Sequence, residues 1–327
     1  MGIFLLNISI AIVLVIAALQ AAIFDAPFKT IQTTSLYSLL PYPWQNHSHL
    51  IHSSDTKLVV TDDSGIQIQL STPAQRIITL TPHAAELVYA AEAGAYLVGV
   101  VSFSDYPISA LNLPRVGDAA RINKESILAL HPDLIIAWPS GNRPQDLTWL
   151  EQHHFIVYRS EPATLEAIAD NLLDLGTLTA TTAAKRAARD FSSRLAQLRQ
   201  RYSGVNSHCI FYQVWATPLI TLGSEHLINQ VFKICGAQNL FPHLTNTAAI
   251  VSKEAVLLAN PYAIIADTSV AGVDAFLWWQ RWTFLDAVRW QRFIDIPSEL
   301  LQRPTPRILD GMERLCLALQ RFRVLSN

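Results

Sequence analysis

The sequence has no Gly-x-Ser-x-Gly nucleophile elbow, no phosphate-cradling glycine loop, no dinucleotide fingerprint, no Cys-x-x-Cys and no His-Glu-x-x-His. Each absence removes a class of chemistry, from acyl transfer to zinc hydrolysis, so nothing visible supports catalysis. His153 and His154 are adjacent, so their side chains point apart, and they read as surface. Charge is scarce as well. Charged residues make up 15% of 327, and the net charge is −2. There is no basic footprint for nucleic acid and no imbalance that would select an acidic or basic substrate. Half the residues are hydrophobic, which is globular composition, and the length suits two domains rather than one small core.

Cysteine is also rare, with three in the chain. The first is Cys209, which excludes lipidation at a signal-peptide cysteine. Cys209 lies in a strand-like run, Cys209-Ile210-Phe211-Tyr212, and reads as a buried free thiol. Cys235 and Cys316 fall at or near predicted helix ends and are the favoured pair in an oxidising compartment; three unpaired thiols is the alternative. Such a bridge would stabilise by up to about 4 kcal/mol.

From Ile3 to Phe24 there is no charged residue. The run reads as a secretory signal peptide or as a retained membrane anchor. It is long for a signal segment, no Lys or Arg precedes it, and the small residues at Ala21 and Ala22 make an imperfect cleavage site. Either reading places the rest of the chain outside the cytoplasm; a buried core helix is the third. Residues 25–57 show no period and read as a linker. His47, His49 and His52 lie there, as part of a polar spacer or as weak metal ligands.

Periodic structure begins at Leu58. Alternating residues on both sides of Thr61-Asp62-Asp63-Ser64-Gly65 predict a hairpin. From Arg76, short apolar runs alternate with helical patterns, as in a parallel sheet covered by helices. Thr181 to Tyr202 breaks that rhythm with apolar residues at helical spacing over about six turns. The alternation resumes after Gly204. The expected organisation is a lobe over 58–178, a connecting helix over 179–204 and a second lobe over 205–327. A repeat supports it. Glu125 to Trp138 lies over Glu254 to Asp267 without a gap, matching the Glu, the Pro, one Leu and Ile-Ile-Ala. A cleft between two such lobes is where a ligand would bind.

The loops at strand C-termini carry the candidate contacts, because these ends face the crevice in open α/β sheets. Pro82 and His83 follow the first strand, Tyr106 the second, and Trp138 the third. Trp215 follows the first strand of the second lobe. The three aromatics suit a large ring ligand; core packing is the plainer reading of each.

Four stretches together carry a resemblance: Arg76 to Val88, Ser104-Asp105-Tyr106-Pro107, Ile127 to Trp138, and Asn229 to Phe241. They resemble the vitamin B12-binding proteins of bacterial ABC importers, among the helical-backbone periplasmic receptors that also bind ferric siderophores and haem. The resemblance implies a class III periplasmic binding protein: an α/β chain of two Rossmann-like lobes joined by a single long helix. It implies a periplasmic protein that binds a corrinoid between the lobes, needs no cofactor or resident metal, performs no reaction and delivers its ligand to an ABC permease. Tyr106 would lie against the corrin ring, and Arg303, with Glu299, at the cleft edge. Glu125 and Glu254 match two carboxylates that dock on permease arginines, and Cys235 and Cys316 match a family disulfide. The chain departs from the family at Ala119, Ile220, Ala248 and Leu301, where aromatics are expected; Trp215 would replace some of that surface. Two other readings stand beside this one. One is a haem or ferric-siderophore receptor, with Tyr106 or His83 as iron ligand. The other is a membrane-tethered metal-binding or interaction protein that uses the spacer and residues 3–24.

Overall fold

A computed structural model of the chain describes residues 57–118, 120–204, 207–269 and 275–324. The run 3–24, the spacer as far as residue 56 with its three histidines, and Ala119 lie outside them. Among the described residues, no helix is long and apolar enough to cross a membrane.

The hairpin comes first. Strand β1 (Leu58–Thr61) pairs antiparallel with β2 (Gln67–Leu70). Alternation sends Val60, Ile68 and Leu70 inward. The Asp62 carboxylate accepts from the backbone N–H groups of Ser64 and Ile66, closing the turn. Gly65 takes a φ of 80°, a conformation that favours glycine.

The N-terminal lobe runs β3 (Ile77–Thr79), α1 (Pro82–Ala90), β4 (Leu97–Val100), α2 (Lys124–Leu130), β5 (Leu134–Ala137), α3 (Pro144–Gln152), β6 (Val157–Arg159) and α4 (Leu165–Thr179). Its strands form a parallel sheet in the order β4-β3-β5-β6. The central strands are buried throughout because helices cover both faces. Helix α5 (Ala183–Tyr202) follows. Its 20 residues span about 30 Å. It buries Ala184, Ala188, Phe191, Leu195, Leu198 and Tyr202 along one stripe.

The C-terminal lobe runs β7 (His208–Gln213), β8 (Trp215–Ala216), β9 (Leu219–Leu222), α6 (Ile228–Ile234), β10 (Ala237–Asn239), β11 (Ala248–Ile250), α7 (Lys253–Ala259) and β12 (Ala263–Ala266). It ends with α8 (Leu277–Gln280), α9 (Asp286–Arg289), β13 (Phe293–Asp295), α10 (Glu299–Gln302) and α11 (Ile308–Val324). The parallel sheet has the order β10-β7-β12-β13. In both lobes, then, the spatial order is second, first, third, fourth. A small antiparallel sheet, β11-β9-β8, is added to this lobe and was not expected from the sequence. Helix α6 begins at Ile228, where His226 Nδ1 accepts from the Ile228 N–H.

The repeat has a shared local cause. Asn123 and Ser252 cap the two helices, accepting from Ser126 N and Ala255 N. Both helices end on a left-handed residue, His131 and Asn260. Pro132 and Pro261 follow, and then the buried strands β5 and β12. One apolar cluster runs continuously from the hairpin through α4 and α5 to α11, so the lobes share a core along the long helix.

Cys235 and Cys316 form a disulfide, separated by 81 positions, that joins the end of α6 to α11. Cys209 is free but only half-buried, and it accepts a hydrogen bond from Gln238 Nε2 at 2.9 Å, so the expected buried thiol is corrected.

Candidate ligand cleft

In each lobe the first and third strands of the order above are neighbours, and the crevice opens at their C-terminal ends. In the N-terminal lobe those ends carry Leu80 and Trp138. Buried Asn142 ties them together: its Oδ1 accepts from Trp138 N at 2.7 Å, and its Nδ2 donates to Leu80 O at 2.9 Å. Behind Trp138 stands His83, edge-on at 5.6 Å between ring centroids.

His83 does not face a ligand. It is 4% exposed. Its Nδ1 lies 2.8 Å from the Thr81 hydroxyl and its Nε2 3.4 Å from Ser160 O. A carbonyl only accepts, so Nε2 carries a proton. Burial holds its pKa down to about 4; the bond to Ser160 works against the shift, and the nearby Arg303 charge adds to it. The expectation of His83 as a ligand contact or iron ligand is therefore corrected: it positions Trp138. Pro82, half-buried, is the first residue of α1.

A cavity of about 380 Å³ lies between the lobes. Trp138, Ser140 and Glu161 line it from the N-terminal lobe, and Glu225, His226 and Gln302 from the C-terminal lobe. A second hollow, about 670 Å³, opens at the C-terminal ends of β7 and β12 and is walled by Trp215, Trp278 and Trp279. Gln302 lines both.

The lobes are joined by a carboxylate on α1. The Glu86 side chain is 2% exposed. It accepts from Arg303 at 2.8 Å, from Arg307 at 2.7 and 3.0 Å, and from the Thr305 hydroxyl at 3.1 Å. Arg303 also pairs with Asp105 at 2.7 Å and donates to Phe103 O. Burial works to raise the Asp105 carboxyl, yet the Arg303 bond and charge carry it below the usual carboxylate range. The Arg307 guanidinium lies 3.8 Å from the centre of the Tyr106 ring. Tyr106 is 46% exposed.

Of the residues expected at the site, Tyr106 and Arg303 are thus brought together where the lobes meet, and neither lines either space. Trp138 lines the interlobe cavity, and Trp215, 50% exposed, lines the C-terminal hollow. Glu299 is half-buried at the start of α10 and lines neither space. Glu125 and Glu254 lie away from the cleft, exposed in the first turns of α2 and α7. Neither has an ion-pair partner among the described residues. Glu86 and Arg307 were not expected, and Asp105 only as part of the loop that carries Tyr106. A signal for Glu86 was present, since it is the lone charge in the run Ala84-Ala85-Glu86-Leu87-Val88, and a charge so placed needs partners.

Comparison with known proteins agrees with this geometry. A vitamin B12-binding protein of Vibrio cholerae is 42% identical over 250 residues, 76% of this chain and 90% of that protein. One from Pectobacterium carotovorum is 35% identical over 251 residues, covering 75% and 88%. The crystal structure of the periplasmic vitamin B12 binding protein of Vibrio cholerae superposes with a TM-score of 0.72 at 40% identity, covering 77% of this chain and 98% of that one. A periplasmic haem-binding protein of Roseiflexus shares the fold, with a TM-score of 0.67 at 22% identity, covering 76% and 99%. The family model described as periplasmic binding protein matches residues 77–300, and the chain belongs to that family.

Proposed function

We propose that this chain is the periplasmic receptor of an ABC importer, binding a corrinoid of the vitamin B12 type between its lobes and delivering it to the permease. The observation that carries the reading is the cleft itself: Trp138 on one wall, and Tyr106 held by Arg307 beside Arg303 where the lobes meet. It stands in a chain 42% identical over most of a vitamin B12-binding protein. The receptor performs no reaction and needs no cofactor. Its ligand is a metal chelate held by shape and stacking. Calorimetry with cyanocobalamin should show saturable one-to-one heat and a raised unfolding temperature; no heat and no shift with either cobalamin or cobinamide overturns the reading.

Delivery would use Glu125 and Glu254. They hold equivalent positions in two lobes of one topology, so a permease with two-fold symmetry meets the same charge twice. Changing each to Arg should abolish vitamin uptake by cells while leaving calorimetric binding intact. In this reading residues 3–24 take the chain across the inner membrane, and the mass of the mature protein shows whether they are then removed.

A further inference from the structure

The hairpin of β1 and β2 lines neither space of the cleft and stands ahead of residue 77, where the match to the family begins. Its turn carries two neighbouring carboxylates with different partners. Asp62 serves the turn, accepting from Ser64 N and Ile66 N, and its second oxygen accepts from Arg159 N. Asp63 turns its side chain toward the segment after β6. Its Oδ2 accepts from Glu161 N at 2.6 Å, and both its oxygens accept from Asn171 Nδ2 at 3.0 Å. Asn171, on α4, is 1% exposed. A buried amide needs a partner at each end. Asp63 receives one end, and the other accepts from Ser160 Oγ at 2.6 Å.

Three consecutive residues are therefore held from the hairpin side. Arg159 O accepts from Asp63 N at 3.1 Å, Ser160 is held through Asn171, and Glu161 is held directly. The chain then enters the cleft, where Glu161, Pro162 and Ala163 line the interlobe cavity. The Glu161 side chain accepts from Ser140 N at 3.2 Å, in the loop that follows Trp138. Ser160 O lies 3.4 Å from His83 Nε2, and the His83 ring stands edge-on to Trp138. Two routes thus run from one turn carboxylate to the neighbourhood of Trp138. One passes through Glu161, the other through Asn171, Ser160 and His83.

We propose that Asp63 is a positioning residue for ligand binding: from outside the cleft it fixes the end of β6, and through that segment the wall that carries Trp138. Its bond to Glu161 N is charge-assisted, which makes it one of the stronger links in the chain. The role in binding rests on the cleft being the ligand site. The clasp itself is independent of which ligand is bound.

The test is Asp63→Ala in the whole chain. The position is exposed and Asp62 still closes the turn, so the hairpin should stay folded. Residue-resolved amide exchange on the unliganded protein should show Glu161 and Ser140 exchanging about tenfold faster, with Val60 and Ile68 of the hairpin unchanged. Calorimetry should show cyanocobalamin bound about fivefold more weakly. In a Trp138→Ala background the same substitution should cost less than about twofold, because the wall it positions is gone. Faster exchange confined to the hairpin would make Asp63 an anchor for the hairpin alone. Unchanged affinity, or an equal loss with and without Trp138, would show that the wall does not depend on it. Each of these overturns the proposal. A wild type that binds no corrinoid overturns the ligand reading instead, and exchange at Glu161 and Ser140 then decides the clasp by itself.

Discussion

Strands β3 to β6 and strands β7, β10, β12 and β13 are laid out in one order, and the capped helix before the third strand recurs down to its left-handed end. Even the residue before each exposed glutamate recurs in role: Lys124 lies over Trp149 as Lys253 lies over Trp278. Toward the cleft the likeness stops. The N-terminal lobe offers one fixed wall, Trp138 backed by a buried histidine. The C-terminal lobe adds a small antiparallel sheet, a tryptophan-walled hollow bordered by Lys253 and Arg281, and the disulfide. Where the lobes agree, they supply scaffold and an outward face. Where they differ, they line the two spaces with different side chains.

The sharpest way to break this pairing is at Glu86, where the lobes meet. Glu86→Ala leaves Arg307, half-buried, without a carboxylate and Arg303 with only Asp105. Removing one partner of a buried pair costs about 3–5 kcal/mol, so calorimetry should show the unfolding midpoint falling by roughly ten degrees. An unchanged midpoint would mean that the shared core along α5, not the charge cluster, couples the lobes. The disulfide probes one lobe alone. Replacing Cys235 and Cys316 with Ala should cost up to about 4 kcal/mol in the chain-entropy account. Hydrogen exchange should then show α6 and α11 losing protection while β3 and β5 keep theirs; equal loss in both lobes contradicts the asymmetry.

The comparison also explains what could be read in advance. The hairpin, the alternating units and the stripe of α5 follow from periodicity, which is local and visible in one chain. The repeat was legible because cap, Pro and apolar strand recur at fixed spacing. The small sheet was not, because its strands are two to four residues long and too short to show alternation. The Glu86 cluster joins residues more than 200 positions apart, and no local pattern reports such a pairing. Trp138 could be placed beside the interlobe cavity because a strand end fixes where a residue stands. His83 was misread because a position at a helix start does not fix which way its ring turns. Trp278, Lys253 and Arg281, which line the C-terminal hollow, were passed over because they lie in separate segments with no shared local pattern.

A smaller effect tests the lobes on matched ground. His83 stands at the start of α1 and His226 just before α6, the first helices of their lobes. Burial lowers both pKa values to about 4, and a helix N-terminus also disfavours a cation. A histidine whose pKa is lower in the folded chain than in the unfolded one contributes stability that is fully present above about 6.5 and is lost as pH falls toward 4. For His83 the difference corresponds to about 3 kcal/mol; the smaller share falls to His226, whose surface is partly open to solvent. Asp174 offsets part of this. Burial raises it to about 6, although its bond from Tyr158 works against the shift. Its protonation on acidification therefore returns some stability. Urea unfolding at pH 7.5, 6.5, 5.5 and 4.5 should show a net decline, and His83→Gln should flatten it more than His226→Gln. Protonating His226 also removes the acceptor that caps Ile228 N, so its share should be felt in α6 alone. A larger flattening from His226→Gln would mean that the C-terminal lobe, despite its open hollow, is the drier of the two at this position.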